Sequence, residues 1–388
     1  MKNWIEGFME YIRDTESPRI FSEWTAYSML ASAMERRVYL TRGHVSIFPD
    51  LYVILVARSG MRKSTAAKIA INDIMRPTGL FNVISTIKMT AEALYKELSN
   101  AGTMDHSALI FADELQTFLG SAGFKGDVVG ALTLLYDSPE SAEWRSLHAG
   151  IRIVERANVN MLACTTNNYV GIMLPRDVIE CGFAPRVMWI TASKPGKKWA
   201  WGSPEVSNEL RIHLRNDLSR IKNLVGRATV TREAHHFYLG WYNNYHPKHD
   251  PILEPYFLRK GTTVLKLAMI LRVANVSVQS IEDFIIEESD ISESLEILKK
   301  AERSMAGVHN SSMGDLSKNC ERILDYMEKK GKANISHAQM AKALYRHIRT
   351  AAEFKESIEF LIEMRRISLE FSKKGSKTYS ILVEENEF

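Results

Sequence analysis

The alternation of apolar and polar positions divides the chain into a mixed first half and a mostly helical second half. Between residues 4 and 37 apolar residues such as Trp4 and Phe8 recur at helical spacing, which predicts helix. From Val38 to Ile54 the residues become β-branched and aromatic, with breaks that predict turns. From about residue 207 to 304 helical periodicity returns and dominates.

The central segment alternates predicted strands with predicted helices. FNVISTI, SALIFADEL, VNMLACTTN and RVMWITAS have the apolar runs of buried strands, and the last three end in polar residues. KSTAAKIAINDIM predicts a helix that stops at Pro77, and TAEALYKELSNAG predicts one with Thr90 as N-cap. This order predicts a mostly parallel sheet in a three-layer α/β domain.

The last 70 residues have a pattern of their own. After a linker candidate at residues 308–317, three amphipathic segments predict helices, the second with Ser336 as N-cap. SLEFSKKGSKTYSILVE then alternates like a two-stranded wing, so the segment predicts a winged helix. The predicted divisions are an N-terminal helical segment (1–45), an α/β core (46–206), a helical subdomain (207–306) and the winged helix (318–388).

Composition and charge narrow the class of protein. With 388 residues, 45% hydrophobic and 25% charged, the chain has the balance of a soluble globular protein. It lacks the run of about 18 apolar residues that a membrane span requires. Three distant cysteines form neither a disulfide framework nor a zinc site, so we expect a reducing, cytoplasmic setting and no membrane partner. The net charge of +4 is too small to indicate nucleic acid by itself.

Candidate chemistry begins at LYVILVARSGMRKSTAAKIAI, which partly matches the phosphate-binding pattern G-x-x-x-x-G-K-[ST]. Ala57 and Arg62 replace two of its glycines, whereas Gly60, Lys63 and Ser64 remain. Such a loop binds phosphate through backbone N–H groups, its lysine contacts the terminal phosphates and its hydroxyl binds Mg²⁺. A chance turn is the alternative.

Further polar residues follow in an order that suits a nucleotide site. Asp113 and Glu114 end one strand, where the first acid would orient Mg²⁺ and the second would polarise the attacking water. Asn167 follows the strand VNMLACTTN and could position that water, and Arg186 precedes RVMWITAS, where it could contact a neighbouring subunit's γ-phosphate. Solvated acids, a capped turn and a surface arginine are the alternatives.

The series Lys63-Ser64, Asp113-Glu114, Thr166-Asn167 and Arg186 resembles the ATPase core of replicative helicases from phages, plasmids and other mobile elements. These are primase-helicase relatives akin to the AAA+ helicases of the MCM and superfamily 3 groups. The segment PRIFSEWTAYSMLASAMERRVYLTRG resembles their lead-in, and the likeness covers roughly residues 15 to 300.

The resemblance implies an α/β fold of the P-loop AAA+ type, with a helical lid after the sheet. It implies a ring, usually a hexamer, that binds ATP and Mg²⁺ between subunits, with Arg259 or Lys266 as sensor 2. A solvated helix residue is the alternative for each. The full nucleotide set would be Ser59, Gly60, Arg62, Lys63, Ser64, Thr65, Arg259 and Lys266, with Ser64 and Asp113 at the metal.

Three basic segments are candidates for DNA contact. EWRSLHAGIRIVE predicts a hairpin with Arg145, His148 and Arg152, which ring helicases would project into their channel. The glycine-rich loop GSAGFKGD offers Phe124 beside Lys125. The wing carries its cations on either side of a glycine; they are Lys373, Lys374 and Lys377. A charged hairpin, a flexible surface loop and a protein-binding wing are the alternatives.

Taken together, the sequence predicts an ATP-dependent ring helicase that acts on single-stranded or forked DNA with other replication proteins. Two further hypotheses stay open. One is a nucleotide-gated DNA-binding initiator with no turnover, in which the altered loop would be the sign of lost hydrolysis. The other is a loader that acts on a partner helicase.

Overall fold

A computed structural model describes residues 3–100, 105–120, 123, 126–146, 150–167, 169–170, 182–192, 194–198, 207–247, 253–312, 315–331, 333–348, 350–363, 366–371 and 376–382. The chain divides into two compact units, Met1–His309 and Asn310–Phe388. The division falls inside the predicted linker. Among the described helices, none is long and apolar enough to cross a membrane.

The N-terminal segment forms two helices, α1 (Trp4–Tyr11) and α2 (Arg19–Met34). Asn3 caps α1 through its side-chain oxygen, which accepts from the N–H groups of Ile5 and Glu6. The predicted continuous helix is interrupted because Pro18 is extended and serves as the N-cap of α2. Almost every residue of α2 is buried, and its serines bond to carbonyls one turn back, so the helix is a central support of the first unit.

Five parallel strands form the central sheet. In chain order they are β3 (Tyr52–Val56), β4 (Val83–Ser85), β5 (Ser107–Ala112), β8 (Asn158–Thr165) and β9 (Val187–Thr191), and in space they are ordered β4-β5-β8-β3-β9. Side chains of β3, β5 and β8 are buried along their whole length, as expected for a parallel sheet covered on both faces. Helix α2 packs on β3, β8 and β9. The first unit is therefore an α/β fold compatible with three layers.

The register of the sheet decides where its polar residues meet. Val56 lies opposite Thr165 on one side and Thr191 on the other, so β3, β8 and β9 end at the same level. Because all five strands are parallel, the segments that follow them emerge at one edge and the segments that precede them at the other. We call these the carboxyl edge and the amino edge.

Helices and a hairpin connect the strands. The helices are α3 (Lys63–Ile69), α4 (Ala91–Ser99), α5 (Leu115–Leu119) and α6 (Asp127–Leu135). Helix α3 continues as a π-helix (Ala70–Met75) and a 3₁₀ turn (Arg76–Thr78) that contains Pro77. The antiparallel hairpin β6 (Ser141–Ser146) and β7 (Gly150–Glu155) packs on α4, where the rings of Trp144 and Tyr95 lie 5.9 Å apart.

The rest of the first unit is mainly helical, as predicted. Its helices are α7 (Asn208–Lys222), α8 (Arg232–Asn244), α9 (Glu254–Ala274) and α10 (Glu288–Ser312). Short strands tie this region to the remainder: β1 (Val38–Arg42) pairs with β2 (Val45–Ile47) and β10 (Gly226–Arg227), and β11 (Thr229–Val230) pairs with β12 (Ile285–Ile286).

The second unit has three described helices and a small antiparallel sheet. The helices are α11 (Asp315–Lys329), α12 (His337–Leu344) and α13 (Ala351–Glu363), and the strands β13 (Ile335–Ser336), β14 (Ile367–Phe371) and β15 (Lys377–Ile381) are ordered β13-β15-β14. Ser336 and Gln339 form a reciprocal capping box that starts α12. A separate core that includes Ile323, Met340 and Phe354 holds these elements together.

Candidate nucleotide site at the carboxyl edge of the sheet

The loop from Ala57 to Arg62 leaves β3 at the carboxyl edge and leads directly into α3. Gly60 has φ +81°, and Arg62 has φ 52° and ψ 36°, the left-handed region that glycine adopts most readily. A non-glycine residue costs roughly 1–2 kcal/mol in that conformation. The Arg62 guanidinium contacts the Glu16 carboxylate of the lead-in at 2.7 Å (Nε to Oε2). This ion pair ties the loop to the segment before α2.

The residues after the loop begin α3 and face the same edge. Lys63 donates from its ammonium to the carbonyl oxygen of Arg58 at 3.3 Å, so its side chain folds back over the loop. Ser64 and Thr65 are half-buried in the first turn, and Ser59 and Gly60 are exposed. The first N–H groups of a helix lack intrahelical partners, so this turn can donate to an anion.

Asp113 and Glu114 follow β5 at the carboxyl edge, and both are exposed. The Asp113 carboxylate contacts the ammonium of Lys68 on α3 at 2.6 Å. Burial raises the pKa of the Glu114 carboxyl, the charge of Lys63 partly offsets the rise, and the charge of Asp113 adds to it. Lys63 is therefore close enough to Glu114 for its charge to act on that carboxyl.

The thiol of Cys164 lies near the end of β8 and is influenced by the charges of these residues. Burial raises its pKa, and the charges of Asp113, Lys63, Glu114 and Lys68 all act on it. Cys164 is fully buried beneath them. The structure thus brings together side chains from the segments after β3 and β5, which are 50 residues apart in sequence.

Thr166 and Asn167 extend the same edge after β8. The Thr166 hydroxyl accepts a hydrogen bond from the N–H of Tyr169 at 3.3 Å. The side-chain oxygen of Asn167 is buried and has no hydrogen-bond partner among the residues that the structure describes. Because a buried amide oxygen without a partner is costly, this atom is available to a water or ligand hydrogen.

A cavity of about 790 Å³ lies beside the lead-in to α2. Its walls come from α1, from the lead-in around Ser17 and Pro18, and from residues 191–192 and 194–197 after β9. The N–H of Gly196 donates to the carbonyl of Glu16, the residue that also contacts Arg62. The lead-in therefore borders the cavity and also contacts the loop.

Arg186 lies at the opposite edge, immediately before β9. It donates to the carbonyl of Gly182 at 2.7 Å and contacts the Asp137 carboxylate at 3.2 Å. Arg259 of α9 contacts the same Asp137 oxygen at 3.6 Å. A five-residue strand spans about 17 Å, so these arginines are far from the loop of their own chain.

Lys266 also belongs to the amino edge. Its ammonium contacts the Asp50 carboxylate at 2.8 Å and lies 3.9 Å from the centre of the Tyr136 ring. Asp50 precedes β3, whereas the loop follows it. Burial raises the pKa of Asp50 to about 6 despite the neighbouring lysine. The predicted nucleotide contact of Lys266 stays a prediction, and here the ammonium is paired within the chain.

The hairpin places its two described arginines on opposite faces. Arg145 lies across from Ile151 and is exposed, whereas Arg152 lies across from Trp144 on the half-buried face toward α4. Exposed Ile151 and Ile153 accompany Arg145. His148 lies outside the described residues.

The other predicted DNA contacts are only partly described. Phe124 and Lys125 lie outside the described residues, as do Lys373 and Lys374. Lys377 is exposed at the start of β15 and pairs across the sheet with exposed Phe371.

Four residues of these two edges escaped sequence reasoning, namely Glu16, Asp50, Lys68 and Asp137. Lys68 follows Ser64 by four positions, the spacing that puts two residues on one helix face, so its proximity to the loop could have been found. The partners of Glu16, Asp50 and Asp137 are tertiary contacts between distant segments, for which the local pattern carries no signal.

The donors at the carboxyl edge suit magnesium better than a metal that the protein alone would hold. No group of three or more His, Cys, Asp or Glu side chains that could hold a metal occurs in the part of the chain that the structure describes. Mg²⁺ is commonly held by one or two carboxylates together with phosphates and water. Asp113 and the Ser64 hydroxyl fit that pattern.

Comparison with known proteins adds no family to this description. No protein-family model matches the chain, and no curated protein sequence matches it significantly.

Proposed function

We propose that the chain is an ATPase of the AAA+ type that binds ATP and Mg²⁺ at the carboxyl edge and acts in a ring as a DNA helicase. One observation carries the proposal. Lys63, Asp113 and Glu114 follow two separate strands, and the charges of all three act on the pKa of the buried Cys164 thiol. The segment after β8 adds Asn167, whose side-chain oxygen is buried and has no partner among the described residues. Ion pairs that served only the fold would not need such an oxygen near them.

The roles follow from the chemistry of each group. The N–H groups at the start of α3 would cradle the phosphates, and Lys63 would compensate their charge. Glu114 would accept a proton from the attacking water, for which its raised pKa is favourable because a base works best with a pKa near the operating pH. Asn167 would hold that water. Ser64 and Asp113 would hold Mg²⁺, which would neutralise charge on the terminal phosphates.

The cavity beside the lead-in supports a nucleoside as the remaining part of the ligand, because the lead-in also contacts the loop through Glu16 and Arg62. Its volume of about 790 Å³ is within the range of small-molecule sites, and Thr191 and Ser17 offer polar contacts. The altered loop is compatible with this ligand. Arg62 already has the left-handed conformation that a glycine would provide, and its guanidinium is 58% exposed.

The amino edge supports a ring. Arg186 and Arg259 are too far from their own loop to contact its nucleotide, whereas a neighbouring subunit could present its phosphates to them. Asp137 would hold the two arginines together until then. In this proposal α7–α10 form the lid and the second unit is a winged helix.

Turnover is the first test. DNA-stimulated ATP hydrolysis should fall by about 10²–10⁴-fold in Glu114→Gln, because the substitution removes the base while preserving shape. Lys63→Ala should abolish both turnover and nucleotide binding. Glu97→Gln, an exposed acid on α4, is the matched control and should behave like wild type. Absence of hydrolysis in wild type would refute the ATPase.

Mixed assemblies test the ring. If Arg186 acts between subunits, then Arg186→Ala chains mixed with wild type should reduce hydrolysis more than in proportion to their fraction. A proportional loss would mean that each subunit works alone. Mass measurement with and without ATP gives the number of subunits, and strand displacement on forked DNA tests unwinding.

The hairpin gives a paired test of DNA contact. Arg145→Ala should weaken DNA binding uniformly across sequences and reduce its salt dependence, because an exposed arginine neutralises phosphate. Arg152→Ala should affect the packing of the hairpin on α4 more than DNA affinity. Equal effects on DNA affinity would contradict this assignment.

A nucleotide-gated DNA-binding protein without turnover is the second candidate. The Lys68–Asp113 ion pair favours it, since Asp113 would be unavailable to Mg²⁺ as long as the pair persists. Nucleotide binding without hydrolysis in wild type would select this function.

A further inference from the structure

Lys68 contacts Asp113, the acid that the proposed function assigns to the metal. The proposed ATPase mechanism gives Lys68 no role. Its ammonium lies 2.6 Å from Asp113 Oδ2, and the two side chains are 49% and 48% exposed. Lys68 lies one helical turn after Ser64 on the same face of α3. Lys68 therefore contacts one of the two side chains that the proposed function assigns to Mg²⁺ and shares a helix face with the other.

Two cations cannot share this carboxylate without mutual repulsion. An oxygen in direct contact with an ammonium must give up that contact, or lose part of its charge to it, when a divalent cation or its bound water approaches. An ion pair this exposed is weak, so it can be exchanged rather than being fixed by the fold. Phosphates entering at the loop would give Lys68 an alternative partner only a few residues away.

We propose that Lys68 is an internal counter-cation of Asp113 that makes metal binding depend on nucleotide. Without nucleotide, the ammonium occupies the carboxylate and disfavours Mg²⁺. When phosphates are bound, they attract the ammonium, and Asp113 becomes available to the metal. This inference rests on the proposed function, which supplies both Asp113 as the metal acid and the binding of phosphates at the loop.

A counter-cation and a merely structural ion pair predict different effects on metal binding when the charge of Lys68 is removed. Removing the charge of Lys68 should strengthen divalent-cation binding, and the gain should be larger without nucleotide than with it. A structural pair would lose stability on the same change and leave metal affinity unaltered.

The test is a titration of the full chain with Mn²⁺, followed by the electron paramagnetic resonance signal of the free ion. In nucleotide-free protein, Lys68→Met should bind Mn²⁺ about tenfold more tightly than wild type, the order expected from removing one charge beside a half-exposed site. Lys68→Arg should resemble wild type because it keeps the charge. With ADP present, the gain in Lys68→Met should shrink to about twofold.

Two controls separate this effect from general changes of surface charge. Lys299→Met removes a similarly exposed lysine that pairs with Glu296 at 3.4 Å, and it should leave Mn²⁺ affinity unchanged. Asp113→Asn combined with Lys68→Met should lose the gain, because the carboxylate that binds the metal is gone. A gain that survives in the combined variant would overturn the proposal, as would unchanged or weaker Mn²⁺ binding in Lys68→Met.

The inference and the proposed function can fail separately. Binding of a fluorescent ADP analogue reports on the nucleotide site alone. If the analogue does not bind but Lys68→Met still gains Mn²⁺ affinity through Asp113, Lys68 is a counter-cation of Asp113, whereas its dependence on nucleotide and the ATPase are both refuted. If the analogue binds and Mn²⁺ affinity does not change, the counter-cation is refuted and the nucleotide site stands.

Discussion

Two lysine–aspartate pairs lie at opposite edges of the same sheet and have opposite characters. Lys266 and Asp50 are 2.8 Å apart at the amino edge, with 3% and 1% of their side chains exposed. Lys68 and Asp113 are 2.6 Å apart at the carboxyl edge and about half exposed. Since the contacting groups and distances are nearly the same, the difference between the pairs comes from their surroundings.

At the amino edge, the surroundings shield Lys266 and Asp50 from water. The Lys266 ammonium faces the Tyr136 ring, and Asp50 also accepts from the Ser138 hydroxyl at 3.4 Å. Arg36 is buried nearby, where it donates to the carbonyls of Ser138, Pro139 and Ala157. Ions removed from water in this way depend on each other, so the pair fixes α9 against the sheet.

At the carboxyl edge, water and ligands can compete for every ion. The Arg62–Glu16 pair is also exposed, and among the described residues Lys63 donates to a carbonyl of its own loop. Exposed pairs contribute about 0–1 kcal/mol, so such groups can change partners without endangering the fold. The comparison indicates that the buried Lys266–Asp50 pair stabilises the fold, whereas the exposed ions of the carboxyl edge can exchange partners.

The largest expected effect follows from breaking the buried pair. Lys266→Met leaves Asp50 buried without its cation, which should lower the free energy of unfolding by about 3–5 kcal/mol. Chemical denaturation of the full chain, followed by circular dichroism, measures this loss.

The double variant Asp50→Asn/Lys266→Met is the control for that prediction. It removes both charges and should recover part of the lost stability, because replacing a whole buried pair is often nearly neutral. A double variant as unstable as the sum of its single variants would contradict the view that the cost arises from an unpaired ion.

Much of the scaffold around these pairs was predictable from sequence. The predicted N-cap of α4 is confirmed, since the Thr90 hydroxyl accepts from the N–H of Ala93 at 3.2 Å. The apolar segments that end in polar residues do form parallel strands with a common carboxyl edge. The local sequence is enough to predict these features, because a helix cap and a buried strand are each determined by residues that are adjacent in the sequence.

The pairing of charges was not predictable in the same way. Lys68 and Asp113 are 45 positions apart, and Lys266 and Asp50 are 216 apart, so only the assembled fold brings them together. Likewise, the hairpin was predicted from its pattern, but the faces of Arg145 and Arg152 depend on the strand register. The sequence predicted that Asp113 and Glu114 follow a buried strand, but it could not show which charges would be neutralised beside them.

The next effect is a pH dependence that arises from Asp50 at the amino edge. Burial raises the pKa of Asp50 from 3.8 to about 6, so between these values the folded state binds the proton more often than the unfolded state. Stability from this group is therefore greatest below pH 4 and falls as the pH rises toward 6, by about 3 kcal/mol at most. Denaturation of wild type across this range, relative to the double variant without either ion, measures it.

An opposite slope would contradict that prediction. If wild type gained stability relative to the double variant as the pH rose from 4 to 6, then the attraction of Lys266 would outweigh the burial of Asp50 and its pKa would be lowered.

A smaller effect is expected in the loop at the carboxyl edge. Arg62→Gly replaces a left-handed arginine by the residue best suited to that conformation and should stabilise the fold by about 1 kcal/mol, less the weak Glu16 pair. Met61→Gly, one position earlier and without a positive φ, should destabilise it by about 0.5–1 kcal/mol. Thermal unfolding distinguishes the two. Destabilisation by both would mean that the Glu16 contact matters more than backbone strain.

The smallest expected effect, that of Lys68→Met on stability, tests the difference between the two lysine–aspartate pairs most directly. Lys68→Met should change the free energy of unfolding by less than about 0.5 kcal/mol, because the pair is half exposed and its aspartate is solvated when left alone. The same substitution at Lys266 is expected to cost several times more, although the two contacts differ by only 0.2 Å in length. Should Lys68→Met destabilise the chain by about 2 kcal/mol or more, which approaches the cost of breaking a buried pair, Asp113 would be fixed by the fold, and its lysine could not act as an exchangeable counter-cation.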